Sequence, residues 1–158
     1  MLDFWLNPGV RKMRIIRCFW SILLLGFPLG LAAQQGAPAG EWPSYGGDLG
    51  HTRYAPLDQI NGDNFADLKV AWRFKTDNFG PSPEYRFQST PLMVGGKLYS
   101  TAGSRRMVIA LDAASGELLW SFRYEEGVRG DNAPRQLSGR GLAFWQDGSE
   151  SRILFVTP

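Results

Sequence analysis

One cysteine, Cys18, and one histidine, His51, are all that 158 residues supply of the side chains that most readily bind transition metals. A zinc centre of the Cys/His kind cannot be assembled from so few. Because Cys18 stands near the amino terminus, the rest of the chain forms no disulfide within itself. No Walker loop, GxGxxG, CxxC or HExxH occurs, which disfavours nucleotide binding and zinc hydrolysis. Positive charge is also scarcer than the pI of 8.8 suggests. Arg11, Lys12, Arg14 and Arg17 face only Asp3 in the first 33 residues, so the remainder of the +2 chain is close to −1. Nothing there argues for a nucleic-acid surface. Long apolar runs are missing too: the one at residues 18–31 is about 14 residues, short of the roughly 20 that span a bilayer.

What is present begins with that run. The basic stretch at residues 11–17, the apolar stretch with Pro28 near its end, and then Ala32-Ala33 have the tripartite layout of a secretory signal. Residues 1–33 are therefore expected to be a signal peptide with a helical apolar core, cleaved after Ala32 or Ala33. Residues 13–33 make a compact signal by themselves, so Met1 and Met13 both stay open as the start. Cys18 precedes the apolar run, where a lipid-attachment cysteine would follow it. Export, with a periplasmic destination, is the expectation, and residues 34–40 look like a short flexible linker.

Beyond residue 40 the pattern is strands and turns. Nineteen glycines, ten prolines and 13% aromatics suit a turn-rich all-β chain. Pro91 to Val94, Gly95-Gly96, then Lys97 to Thr101 reads as a hairpin on a two-residue turn. Met107 to Asp112 is a third strand, and after Ala113-Ala114-Ser115-Gly116 comes a fourth, Glu117 to Phe122. Four short antiparallel strands with tight turns make one propeller blade. Leu68 to Lys75 and Glu117 to Arg123 align with Trp72 over Trp120 and Phe74 over Phe122, an offset of 48 residues that is blade-sized. Gly141 to Trp145, a turn over residues 146–151, and Arg152 to Thr157 repeat the first hairpin. The fold class expected is all-β, a partial β-propeller of about one and a half blades preceded by a signal helix. A closed ring needs about four to eight blades, so the chain is expected to be a fragment or a truncated product.

Ala110-Leu111-Asp112-Ala113-Ala114-Ser115-Gly116-Glu117-Leu118-Leu119-Trp120 resembles the blade motif of the pyrroloquinoline-quinone-dependent dehydrogenases, whose propeller has eight blades. The motif has a physical sense: Asp112 and Ser115 bond their own turn, Gly116 takes a positive φ, and Trp120 packs between blades. Three more stretches resemble the same family. Glu41 to Asp48, followed by Thr52 to Leu57 and Ile60-Asn61, is similar to the opening of the quinoprotein alcohol and glucose dehydrogenases. Phe87-Gln88-Ser89-Thr90-Pro91-Leu92 and Gly139-Arg140-Gly141-Leu142-Ala143-Phe144-Trp145 are similar to the segments that reach the cofactor. The resemblance covers residues 41–158.

The resemblance implies two cofactor contacts, Gln88 and Arg140. An amide suits a carbonyl or carboxylate of pyrroloquinoline quinone, and a planar guanidinium suits its carboxylates or carbonyl pair. A vicinal cysteine pair that many alcohol-oxidising relatives place before this arginine is missing from residues 132–139, which leans toward the sugar or polyol branch. Ca²⁺ ligands and the general base are implied to lie in later blades, past Pro158. The implied partners are an alcohol or sugar substrate and a respiratory quinone or cytochrome c acceptor, with peripheral association with the inner membrane, and no nucleic acid. Other readings stand beside these. Gln88 could cap a strand edge, Trp72 and Trp120 read as packing residues, His51 and Arg105-Arg106 as solvated turn residues, and Arg129 and Arg135 as part of a polar loop. The competing class is a non-catalytic propeller scaffold for outer-membrane protein assembly.

Overall fold

A computed structural model describes residues 36–37, 40–80, 84–135 and 141–157. The expected signal peptide lies outside the described residues. Four strands, β1 (Leu92–Val94), β2 (Lys97–Ala102), β3 (Met107–Asp112) and β4 (Leu118–Phe122), form one antiparallel sheet in chain order. Gly95 and Gly96 both take positive φ, 58° and 73°, which is the two-residue turn whose twist suits a hairpin. It sets Val94 opposite Lys97 and Leu92 opposite Tyr99. β2 and β3 pair from Lys97↔Asp112 to Ala102↔Met107. Between Ala110 and Leu111 the pairing with β4 shifts, leaving Leu119 as an extra residue.

Both faces of this sheet are covered, which explains why β3 is apolar without alternation. Leu92, Tyr99, Val108 and Ala110 face one side, where Leu142, Phe144, Ile153 and Phe155 pack on them. Ala102, Ile109 and Leu111 face the other, under Trp72, Phe74 and Phe79. The covering layer on the first side is a second hairpin, β5 (Ala143–Asp147) and β6 (Glu150–Leu154). Its turn is tighter than expected, because Gln146 pairs with Ser151 and Asp147 with Glu150, leaving only Gly148 and Ser149 to reverse the chain. The 48-residue repeat thus becomes a layer spacing. Trp72 and Phe74 lie on one face of the sheet, while on β4 Trp120 and Phe122 sit opposite Ala110 and Val108 on the other. There Trp120 approaches Tyr99 and Phe122 meets Phe155 edge-on.

The blade motif behaves as its chemistry requires. Asp112 Oδ1 accepts the Ser115 N–H at 2.8 Å, the Ala114 N–H at 3.1 Å and the Ser115 hydroxyl at 2.9 Å. These bonds, the Ser115 backbone one first, hold the exposed Asp112 carboxyl below its ordinary 3.8. Gly116 sits at φ 75°, and a Cβ there would be 2.5 Å from Trp72 Cδ2. The same indole donates its Nε1–H to Ala113 O at 3.1 Å. Trp72 is therefore seated on the turn of the following blade.

The amino-terminal strap closes the other edge. Trp42 and Met93 exchange backbone bonds of 2.7 and 3.1 Å on the outer side of β1, and the Glu41 carboxylate accepts the Gly95 N–H. Within the stretch expected to be linker, Gly36 N–H donates to Asp48 Oδ2 and Ala37 N–H to Tyr54 O, so these two residues are docked. Arg129, read as part of a polar loop, falls in a single helical turn, α1 (Val128–Asp131), entered through Gly127 at φ 57°.

Candidate cofactor site

Gln88 lies in the segment that leads into β1. Its residue is exposed, and among the described residues its side chain makes no hydrogen bond, so no strand edge is capped by it. The neighbour does the bonding: Ser89 Oγ accepts the Thr101 N–H at 3.3 Å and lies 3.2 Å from Ser100 Oγ. Four residues earlier, Glu84 Oε2 accepts the Gly103 N–H at 2.9 Å and the Thr76 hydroxyl at 3.4 Å. Gln88 is thus placed at the end of the sheet where β2 runs into its turn with β3. Arg140 lies outside the described residues.

That turn departs from the sequence reading. Arg105 and Arg106 both hold left-handed backbone, φ 64° and 54°, a conformation uncommon for residues with a Cβ. Neither is a freely solvated side chain. The Arg105 side chain is only 22% exposed, and its guanidinium pairs with Asp131 and, at 3.9 Å, with Glu125. Arg106 Nη1 donates to Val156 O at 3.1 Å. Bonding within the protein wins over solvation because Glu125, Asp131 of α1 and the Val156 carbonyl past the end of β6 bring acceptors to the turn, partners that lie 20 or more residues away in sequence. Arg129 pairs with Glu126, whose side chain is buried.

His51 is exposed, at φ 53°, with Tyr45 as its aromatic neighbour. It takes no part in the Gln88 end of the sheet. Among the described residues no group of three or more His, Cys, Asp or Glu could hold a metal ion. No helix among them is long and apolar enough to cross a membrane. A cavity of about 670 Å³ opens elsewhere, between β4 and β6, lined by Trp120, Phe122, Arg152 and Ile153 among others. It contains neither Gln88 nor the β2–β3 turn, and the chemistry of its lining is that of an uncovered sheet face. Glu84 stands in no motif that would mark it in the sequence, and the Phe87 to Leu92 stretch marks Ser89 without showing what it bonds. Their partners lie 8 to 19 residues away and are backbone groups as much as side chains.

An exposed primary amide that makes no hydrogen bond among the described residues suits a ligand rich in carboxylates and carbonyls. Residues 42–158 match the family described as PQQ: glucose/ethanol/alcohol dehydrogenase, β-propeller domain. The chain is 42% identical over 118 residues to the dehydrogenase subunit of the alcohol dehydrogenase (quinone) of Gluconobacter oxydans, covering 72% of this chain and 14% of that one. It is 35% identical to quinoprotein glucose dehydrogenase A of Acinetobacter calcoaceticus, with the same coverage. Among solved structures, the quinohemoprotein alcohol dehydrogenase of Comamonas testosteroni superposes with a TM-score of 0.56 at 31% identity, over 73% of this chain and 16% of that one. The chain thus spans about one seventh of the length of these curated relatives.

Proposed function

The chain belongs to the PQQ-dependent glucose/ethanol/alcohol dehydrogenase β-propeller family, and from that premise we propose that it forms the sector of an exported dehydrogenase that binds and orients pyrroloquinoline quinone. The observation that carries this reading is the exposed, unbonded amide of Gln88 in the stretch Phe87 to Pro91. Gln88 would donate to a carbonyl or carboxylate of the cofactor, and Arg140 would bind its carboxylates or carbonyl pair. When bound, the quinone supplies the acceptor for the hydride of an alcohol. This chain's own residues bind and orient the cofactor.

The substrate class is an alcohol, sugar or polyol, with a respiratory quinone or cytochrome c as electron acceptor and Ca²⁺ held by residues of other blades. Relatives named for alcohol, glucose, quinate/shikimate and glycerol oxidation span these classes. They are all dehydrogenases, which leaves the scaffold alternative without a supporting observation. The 158-residue chain alone is inactive in this reading, because a propeller binds its ligand with side chains from several blades. Replacing the matching segment of the Gluconobacter oxydans subunit by residues 42–158 tests the assignment. Quinone-dependent alcohol oxidation retained by the folded chimera supports it; a folded chimera without any activity counts against it. The basic, apolar and small-residue order of residues 11–33 supports a periplasmic location for the site. Protein recovered from an exporting host should begin between Ala33 and Gln35, and an intact amino terminus on periplasmic material would refute that.

A further inference from the structure

The register of β1 and β2 sets Leu92 against Tyr99, Met93 against Leu98 and Val94 against Lys97. Carried two residues further back, it sets Thr90 opposite Thr101. The regular ladder ends before that point, next to Pro91, which has no N–H to offer. Side chains take over where backbone acceptors stop. Ser89 Oγ receives the Thr101 N–H, and Glu84 Oε2 receives the Gly103 N–H.

The ground they stand on is firm. Ser100, Thr101, Ala102 and Ser104 are all buried. Gly103 is held from its far side as well, since a Cβ there would fall 1.5 Å from Phe79 O, and one on Gly80 would fall 2.4 Å from Ser104 Oγ. Between the two fastened residues, positions 85 to 88 are exposed. Glu84 also leaves its Oε1 buried with no partner among the described residues. A buried oxygen without a partner is a cost to the fold, which points to a use for Glu84 other than stability.

We propose that Glu84 and Ser89 are positioning residues that clamp the segment carrying Gln88 onto the end of β2, so that its amide meets the cofactor from a fixed backbone. The proposal rests on the reading of Gln88 as a cofactor contact. Supporting groups of this kind hold a binding side chain within a fraction of an ångström of its working place.

Hydrogen exchange and amide NMR on the Gluconobacter oxydans chimera carrying residues 42–158, with pyrroloquinoline quinone as the probe and the unsubstituted chimera as the wild type, test it. In the wild type, the cofactor shifts the side-chain NH₂ signals of Gln88. In Ser89→Ala the Thr101 amide, and in Glu84→Ala the Gly103 amide, exchanges at least tenfold faster. The Gln88 shift at equal cofactor concentration shrinks at least threefold in both, while β3 amides keep their wild-type rates. Ser89→Thr and Glu84→Gln, which retain an oxygen acceptor, restore both readouts. Unchanged exchange in the alanine variants overturns the clamp. So does faster exchange with an undiminished Gln88 shift, which would leave Glu84 and Ser89 with a structural role alone. A wild-type Gln88 that shows no shift at all instead overturns the cofactor reading, and the two failures are told apart by which protein shows them.

Discussion

Gly116 stands at φ 75° with the Trp72 indole where its side chain would be, so a substitution there meets two penalties. The left-handed backbone costs an alanine about 1–2 kcal/mol, and a ring pushed off its seat costs about 1–3 kcal/mol more. Gly116→Ala should therefore lose about 2–5 kcal/mol in urea unfolding, and a loss under about 0.5 kcal/mol would show that the indole seat is not under constraint. Trp72→Phe leaves the Ala113 carbonyl without its Nε1–H donor, at about 0.5–1.5 kcal/mol. The two changes act on one contact and should not add. Asp112, Ser115, Gly116 and Trp120 were legible in the sequence because the motif is local: the side-chain bonds of Asp112 and Ser115 all lie within three residues. Arg105 and Arg106 were misread as solvated for the opposite reason, since Asp131 and Val156 reach them only through the fold.

Elements differ in how many of their backbone groups are paired. β2 and β3 are bonded on both sides and buried on both faces, whereas β4 is an edge whose five residues are all exposed. Residues 69–75 pack Trp72 and Phe74 on the sheet yet form no backbone–backbone hydrogen bond among the described residues. Hydrogen exchange should then be slowest in β2 and β3, faster along the outer side of β4, and near the unprotected rate at residues 69–75. Protection at residues 69–75 equal to that of β3 would mean that a pairing partner is present in solution. The hairpins could be read from sequence because Gly95-Gly96 and Gly148 carry the positive φ that a two-residue turn needs. α1 could not, since its four residues lack a side-chain cap at Gly127. Asp131 of this turn is instead tied to Arg105 in the β2–β3 turn.

For the molecule as a whole, the described residues form one four-stranded sheet and the two-stranded hairpin stacked on it, the architecture of a propeller sector. Apolar surface remains open along β4, where Leu118, Leu119, Trp120 and Phe122 are each 39% exposed or more, and in the neighbouring cavity between β4 and β6. Surface of that size ordinarily meets a partner layer. The all-β class and the family were legible because four separated motifs agree. The Gln88 end was legible only in part: the sequence marked the amide and Ser89 in one stretch but gave no sign of Glu84 or of what either support bonds. The central claim is that this sector holds the cofactor through Gln88 and Arg140. Its most direct test is equilibrium titration of pyrroloquinoline quinone into the apo form of the Gluconobacter oxydans chimera carrying residues 42–158. A charge-assisted contact is worth about 1.5–3 kcal/mol, so Arg140→Ala should weaken binding about tenfold to a hundredfold, and Gln88→Ala, a neutral donor worth about 0.5–1.5 kcal/mol, about twofold to tenfold. Affinity unchanged in both variants, with melting behaviour intact, would contradict the account.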